Sequence, residues 1–331
     1  MAEKTARQRK LPEAAAVAAW IGESVRRLEQ FESLVNGINV FPVKDRDTGT
    51  NLLTTVRAGL GGVAEGGAGA TTWGEALSAV AEAASRKALG NSGTVFVIVL
   101  STLADRLSEV RRLDAAAWAS ALSAADVRAS SAISDRAPAS VFDVIAAAAA
   151  CPARPDSGLG GLQELVAEQT AAAAEAVRRT HGGSEALARY GVIDAGAVGL
   201  LVIMEAFRSV VVGEEFREET VTSLPGLSIA PEREGAGEPA AAPVHGVEVV
   251  CTVSASPLDA AVLRASLDAL GDSVIMTPLG RTAADPSQRV RWRIHVHVEE
   301  KQTALEAIEA VAVPEDVSVS SLSEHGVRHR S

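Results

Sequence analysis

Apolar residues return every three or four positions near the start of the chain. Val17, Ile21, Val25, Leu28 and Leu34 recur in this way, with Glu23, Arg26, Arg27 and Glu29 between them. The spacing predicts an amphipathic helix over residues 11 to about 35, ended by Asn36-Gly37. The same periodicity predicts helices from Leu52 to about Gly61, from Thr71 to Lys87, from Thr94 to Leu107, and over about 114–131, 140–150, 160–180 and 194–212. No β alternation stands out before residue 212. Between 213 and 244 Glu, Pro and Gly gather, as in Glu234-Gly235-Ala236-Gly237-Glu238-Pro239, and the pattern reads as a linker.

A different pattern starts near His245. Val247, Val249, Cys251 and Val253 alternate as a strand, and Leu258 to Leu270 is helical. Ser273 to Thr277 is an apolar strand, and Arg291 to Val298 alternates polar on odd and apolar on even positions. Gln302 to Val311 is helical and Val317 to Leu322 closes as a strand. The order β-α-β-β-α-β predicts a small ferredoxin-like domain. The expected organisation is therefore an all-α domain over 11–212, a linker over 213–244 and a small α/β domain over 245–325.

Composition agrees with close-packed helices. Of 331 residues 47% are hydrophobic, much of that alanine, and 3% are aromatic. A net charge of −11 argues against a general nucleic-acid-binding role. The first ten residues read as a disordered lead-in with no signal-type apolar core after them. Leu200 to Ala206 is too short to cross a membrane, so no transmembrane segment is expected. Two well-separated cysteines, Cys151 and Cys251, fit a reducing cytoplasm better than a disulfide framework.

The segment Asn39-Val-Phe-Pro-Val-Lys-Asp-Arg-Asp-Thr-Gly-Thr-Asn51 carries the most chemistry. Asp45 and Asp47 sit two apart on a loop that runs into a helix. Thr48, Thr50 and Asn51 add hydroxyl and amide groups. Two carboxylates suit a hard cation, and free helix amides suit phosphate, which together suggest magnesium-nucleotide chemistry. Ordinary helix capping by Asp47 or Thr48 is the other reading. Gly90-Asn91-Ser92-Gly93 also precedes a helix; it lacks a Walker ending and reads either as an anion loop or as a helix–helix turn. Asp194, Gly196 and Gly199 combine an N-cap with small residues for close approach of a ligand or a helix. Ser140 is a cap that could also meet phosphate.

These three loops, in this order, resemble the nucleotide-site loops of the dihydroxyacetone kinase L-subunit superfamily. The fatty acid kinase A subunit is the nearest variant, with a first loop reading Asn-Val-Phe-Pro-Val-Pro-Asp-Gly-Asp-Thr-Gly-Thr-Asn. The likeness spans about 11–212. It extends over 245–325 through Cys251-Thr252, Gly271-Asp272-Ser273 and His295-Val296-His297, and so covers the N-terminal and middle domains only.

The resemblance implies an antiparallel helical barrel with Mg2+ and ATP or ADP at one end. Asp45 and Asp47 would be catalytic magnesium ligands, with Asn39 as a further ligand or polar contact. Thr48, Thr50, Asn51, Asn91, Ser92, Gly93, Thr94, Ser140, Asp194 and Gly196 would line the nucleotide. It implies a fatty-acid-binding partner protein that presents the acyl carboxylate, giving an acyl phosphate, and it is compatible with a homodimer. It also implies a zinc-type cluster of Cys251, His295 and His297. Strand alternation opposes that cluster, because Cys251 shares a face with Val247, Val249 and Val253 while the histidines share theirs with Arg291 and Arg293.

The chain departs from the family pattern at several positions. Lys44 replaces a proline, Arg46 the glycine between the aspartates, Leu89 an arginine, Val97-Ile98 a polar pair and Ala139-Ser140 a Gly-Thr. Arg46 could bind phosphate, or pair with an aspartate and displace magnesium. A catalytically weakened nucleotide-binding scaffold or sensor is therefore the alternative function. A dihydroxyacetone kinase subunit proper is a further one.

Overall fold

The computed structural model describes residues 13–40, 46–67, 69–133, 138–154, 158–228, 246–279 and 288–322. Asp45, the first ten residues and the Glu234–Pro239 stretch lie outside the described residues.

Eight helices of the expected kind form, with small shifts at their ends. They are α1 (Glu13–Gly37), α2 (Thr48–Glu65), α3 (Trp73–Ser85), α4 (Gly90–Arg106), α5 (Ala115–Ala132), α6 (Val141–Ala149), α7 (Gly158–Thr180) and α9 (Ala195–Val212). Two short helices, α8 (Glu185–Tyr190) and α10 (Glu219–Thr222), carry too little periodicity to be read beforehand. Each long helix packs on the next in chain order, α7 packs on α9, and α9 returns to α1, which closes a ring. The barrel expected from the resemblance is thus the observed architecture.

Small residues let these helices approach. A methyl group at Gly62 would lie 2.3 Å from the carbonyl oxygen of Ala79, and one at Gly74 would lie 2.4 Å from Cα of Ser108. The scarce aromatic residues fill the middle. Phe207 stacks on Trp118 with ring centres 4.2 Å apart and tilts against Trp20 at 4.7 Å. Both buried indole N–H groups are satisfied, donating to the Ile203 carbonyl at 3.1 Å and to Gln169 Oε1 at 2.8 Å. Helix α9 is long and apolar enough to span a membrane by length and composition, yet most of it is buried inside the protein. It is a core helix of the barrel.

The second domain forms β1 (Val247–Ala255), α11 (Pro257–Asp268), β2 (Gly271–Leu279), β3 (Val290–Val298), α12 (Lys301–Glu309) and β4 (Glu315–Ser321). The strand order β2-β3-β1-β4, antiparallel throughout, is the ferredoxin-like arrangement. One face buries Val249, Cys251, Val253, Ile294 and Val296 against α11 and α12. The other face turns toward the barrel. Ile275 on β2 is buried in the barrel's own core and bridges Ile133. Arg264 donates to the Ser131 carbonyl at 3.0 Å.

Residues 213–244 do not begin as a linker. Phe216, Val221 and Leu224 are buried in the helical core. Arg208 on α9 holds this segment; with Glu205 it is one of two charged residues in an otherwise largely apolar helix. Its guanidinium is buried with Glu205 at 2.7 Å, reaches Glu214 at 2.9 Å and donates to the Glu215 carbonyl at 2.7 Å. Glu205 also accepts from the Arg217 amide at 2.8 Å. The chain after α9 must fold back to satisfy that pair. Removing one partner of a buried ion pair costs about 3–5 kcal/mol. Arg208→Ala is expected to lose that much in urea unfolding and to open residues 213–224 to proteolysis. A loss below about 1 kcal/mol would show that the network holds nothing.

Candidate functional site

The loops singled out in the sequence come together at one end of the barrel, where α2, α4, α6 and α9 all begin. A methyl group at Gly196 would lie 3.3 Å from Oδ1 of Asp194, 3.8 Å from Cβ of Val141 and 4.0 Å from Cβ of Ser92. One at Gly90, whose φ is +62°, would lie 3.0 Å from the side-chain amide nitrogen of Asn51. Four helix N-termini directed at one space concentrate unpaired N–H groups and partial positive charge, which is the physical basis of an anion site.

How each terminus is capped decides what remains free. Asp47 stands at the N-cap of α2, but its side chain makes no capping bond. The cap comes instead from Asn36 on α1, whose Oδ1 accepts from the Gly49 amide at 2.7 Å and the Thr50 amide at 3.2 Å. The Asp47 carboxylate is therefore not spent on capping, and Thr48 is the first residue of the helix. In sequence Asn36 marks only a helix end; its capping role depends on two helices meeting and leaves no mark in residue spacing. Helix α4 has Leu89 at its N-cap, which has no side-chain acceptor. Beside it the Oδ1 of Asn91 is buried without a hydrogen-bond partner. Ser92 is half-buried at the same turn. Asn39 is buried at the end of α1, directly before the undescribed residues 41–45.

Three expected nucleotide contacts have structural duties. Thr50 Oγ1 donates to Glu32 at 2.7 Å and accepts from Asn36 at 2.9 Å, tying α2 to α1. Thr94 is buried and its hydroxyl donates to the Gly90 carbonyl at 3.0 Å. Gly93 lets α4 approach α2, since a methyl there would sit 2.6 Å from Thr55 Oγ1.

Ser140 caps α6, and its backbone N–H donates to Asp143 at 3.1 Å. Asp194 caps α9 through a 2.7 Å bond from the Ala197 amide, and its own N–H donates to Thr180 at 3.0 Å. Burial is the main force raising the Asp194 carboxyl from an ordinary 3.8 to about 6; the nearby Asp143 charge adds to it, and amide bonds from Ala197 and Val141 oppose it. Asp143 was missed in the sequence, although Ser140-x-x-Asp143 has the capping-box spacing.

Arg46 is exposed and, among the described residues, forms no ion pair with Asp47. It keeps φ at +56°, and Ala139 keeps +55°. Left-handed backbone at a residue other than glycine carries a steric cost of about 1–2 kcal/mol at each position.

In the second domain the proposed zinc set breaks apart. Cys251 lies opposite Ile294 on the helix-facing side, whereas Val250 lies opposite His295 and Glu248 opposite His297. Burial also pushes the Cys251 thiol up to about 11, which disfavours the thiolate a metal needs. Glu248, His295 and His297 instead bring their ligand atoms within 4.8 Å of one another. The two Nε2 atoms are 3.1 Å apart, and His295 Nδ1 is 3.3 Å from Glu248 without hydrogen-bond geometry. Burial holds the His295 imidazole neutral by lowering it to about 3. The face that carries the histidines is covered, and His295 is fully buried.

The DAK2 domain model matches residues 42–209. Protein YloV of Bacillus subtilis (strain 168) is 28% identical over 213 residues, covering 63% of this chain and 37% of that protein. An uncharacterized protein of Staphylococcus epidermidis is 25% identical over 202 residues, covering 61% and 36%. The chain thus spans little more than a third of the length of these relatives. The crystal structure of the dihydroxyacetone kinase from C. freundii in complex with AMP-PNP and Mg2+ matches at 18% identity with a TM-score of 0.46, covering 63% of this chain and 36% of that one.

A carboxyl with a folded value above its unfolded one holds its proton more tightly in the native state. Asp194 therefore adds stability below about pH 4 that is lost as pH rises through 6, worth about 3 kcal/mol over that window. In urea unfolding at pH 4 to 6.5, without metal or nucleotide, Asp194→Asn keeps the cap and is expected to lose this slope. Parallel curves for the two chains would contradict the burial of that charge.

Proposed function

Because the chain belongs to the DAK2 domain family, we propose that its helical domain is an ATP-dependent phosphotransferase module, with the nucleotide at the converging helix N-termini. The observation that carries this reading is the uncapped start of α4, which lies against Asn51 on α2, together with an Asp47 carboxylate released from capping by Asn36. Hard oxygen donors at Asp45 and Asp47, with Asn39 as a further ligand or polar contact, fit magnesium. Bound there, magnesium would neutralise charge on the transferred phosphoryl group. The amides of Asn91, Ser92 and Gly196, with the Ser92 hydroxyl, would hold and orient the phosphates. Ser140 and Asp194 would shape the pocket wall through the caps they make.

The acceptor proposed is a fatty acid carboxylate presented by a partner protein, giving an acyl phosphate. A small ketose in a dihydroxyacetone kinase assembly is the second substrate reading. Turnover-free nucleotide binding, as a sensor or scaffold, is supported by the bulk of Arg46 in the loop. A cytoplasmic setting suits the two free cysteines.

Calorimetric titration of ATP with and without magnesium tests the site. The native chain should bind only with magnesium, and Asp45→Ala and Asp47→Ala should each weaken binding at least about tenfold, or 1.4 kcal/mol. Tight magnesium-dependent binding by both variants would sink the assignment.

A second reading concerns metal in the small domain, and Glu248, His295 and His297 favour it. Two neutral imidazoles and a carboxylate fit a zinc-type ion. Metal analysis after zinc loading is expected to give one ion in the native chain and in Cys251→Ser, and none in His295→Ala. Loss of the ion in Cys251→Ser would put the thiol in the ligand set.

A further inference from the structure

The second face of the sheet and the helices α3 and α4 enclose a cleft of about 280 Å³. The barrel side supplies Ser78, Ser85 and Ser101; the sheet side supplies Thr252, Arg291 and Arg293. Three carboxylates also line it, and each has a cation. Glu82 pairs with Arg86 at 3.1 Å, Asp105 with Arg128 at 2.9 Å, and Asp316 lies 3.9 Å from Arg291.

Arg293 is the exception. It is only 5% exposed. One guanidinium nitrogen donates to Thr252 at 3.1 Å, while Nε has no hydrogen-bond partner. No carboxylate stands within ion-pair distance of it among the described residues. Thr277 lies directly across the β2–β3 ladder from Arg293, and its hydroxyl is buried and also without a partner. Thr252 lies across the β1–β3 ladder on the other side. Among the described residues this buried cation has a neutral acceptor in Thr252 but no anionic one, its Nε and the Thr277 hydroxyl stay unpartnered, and natural interiors rarely leave such groups unmet.

We propose that this interdomain cleft binds a small oxyanion, a phosphate or carboxylate group, on Arg293. The planar guanidinium offers parallel N–H donors that match either group, with Thr252 and Thr277 beside it and the serines of α3 and α4 opposite. Burial lowers the guanidinium's proton affinity, and the more distant charges of Asp316 and Glu248 offset this only in part. The site is separate from the nucleotide end. Ser101 and Asp105 lie 11 and 15 residues along α4 from Gly90, roughly 16–22 Å at 1.5 Å per residue. An anion held there joins the two domains by charge-assisted hydrogen bonds.

Thermal unfolding and calorimetry with inorganic phosphate and with acetate, at constant ionic strength, test this on the native chain, Arg293→Lys and Arg293→Met. The native midpoint is expected to rise with anion concentration, with Arg293→Lys binding more weakly and Arg293→Met not responding. A response to phosphate alone identifies a phosphoryl ligand, and one to acetate alone a carboxylate. Without anion, Arg293→Met should be at least as stable as the native chain, because it removes an unpaired buried charge. Three results would each overturn the proposal: no response in the native chain, an undiminished response in Arg293→Met, or a Met variant much less stable in anion-free buffer.

Discussion

Everything at the working end of this protein depends on how four helix N-termini share one space. Each start leaves amide donors that need an acceptor, and the chain supplies acceptors unevenly. Asp194 serves α9, the Ser140–Asp143 pair serves α6, and Asn36 reaches across from α1 to serve α2. Helix α4, behind Leu89, is left open. That unevenness is what makes an anion seat rather than a closed cap. It exists only because α9 returns to α1 and completes the ring, which sets the Asp194 turn beside Ser92 and Val141.

The parts legible in sequence were those set by local period and local chemistry. The long helices followed from apolar spacing, and the β-α-β-β-α-β order followed from alternation. The facing of Cys251 away from the histidines followed from counting by two, and the ladder register agrees with it. What escaped were features that need two elements to meet. Asn36 as a cap in trans, Asp143 beside Asp194, and the covered face carrying His295 and Arg293 all depend on packing that no window reveals. Thr50 and Thr94 show the converse: hydroxyls in the right loops, already engaged in holding helices together.

The two site loops also retain a backbone shape at some expense. Arg46 and Ala139 occupy the left-handed region without the freedom of glycine. The accommodation at Ala139 is visible on its neighbour: a methyl at Gly183 would sit 2.3 Å from the Ala139 side chain, so glycine is required there. Strain of this sort persists only where the surroundings over-determine the conformation. Here the surroundings are the helix starts themselves.

The fold-back after α9 bears on where the barrel can be cut. A fragment stopped at Val212, where the helical period ends, would retain Arg208 but discard Glu214 and the Glu215 carbonyl it grips. It would also strip Phe216 from between Phe31 and the Arg27 guanidinium. A fragment carried through Leu227 would keep its own seal, including the Gly226 carbonyl that accepts from the Ile193 amide one residue before Asp194. The autonomous unit is therefore longer than the helical pattern, and its last turn of chain reaches the base of the α9 cap.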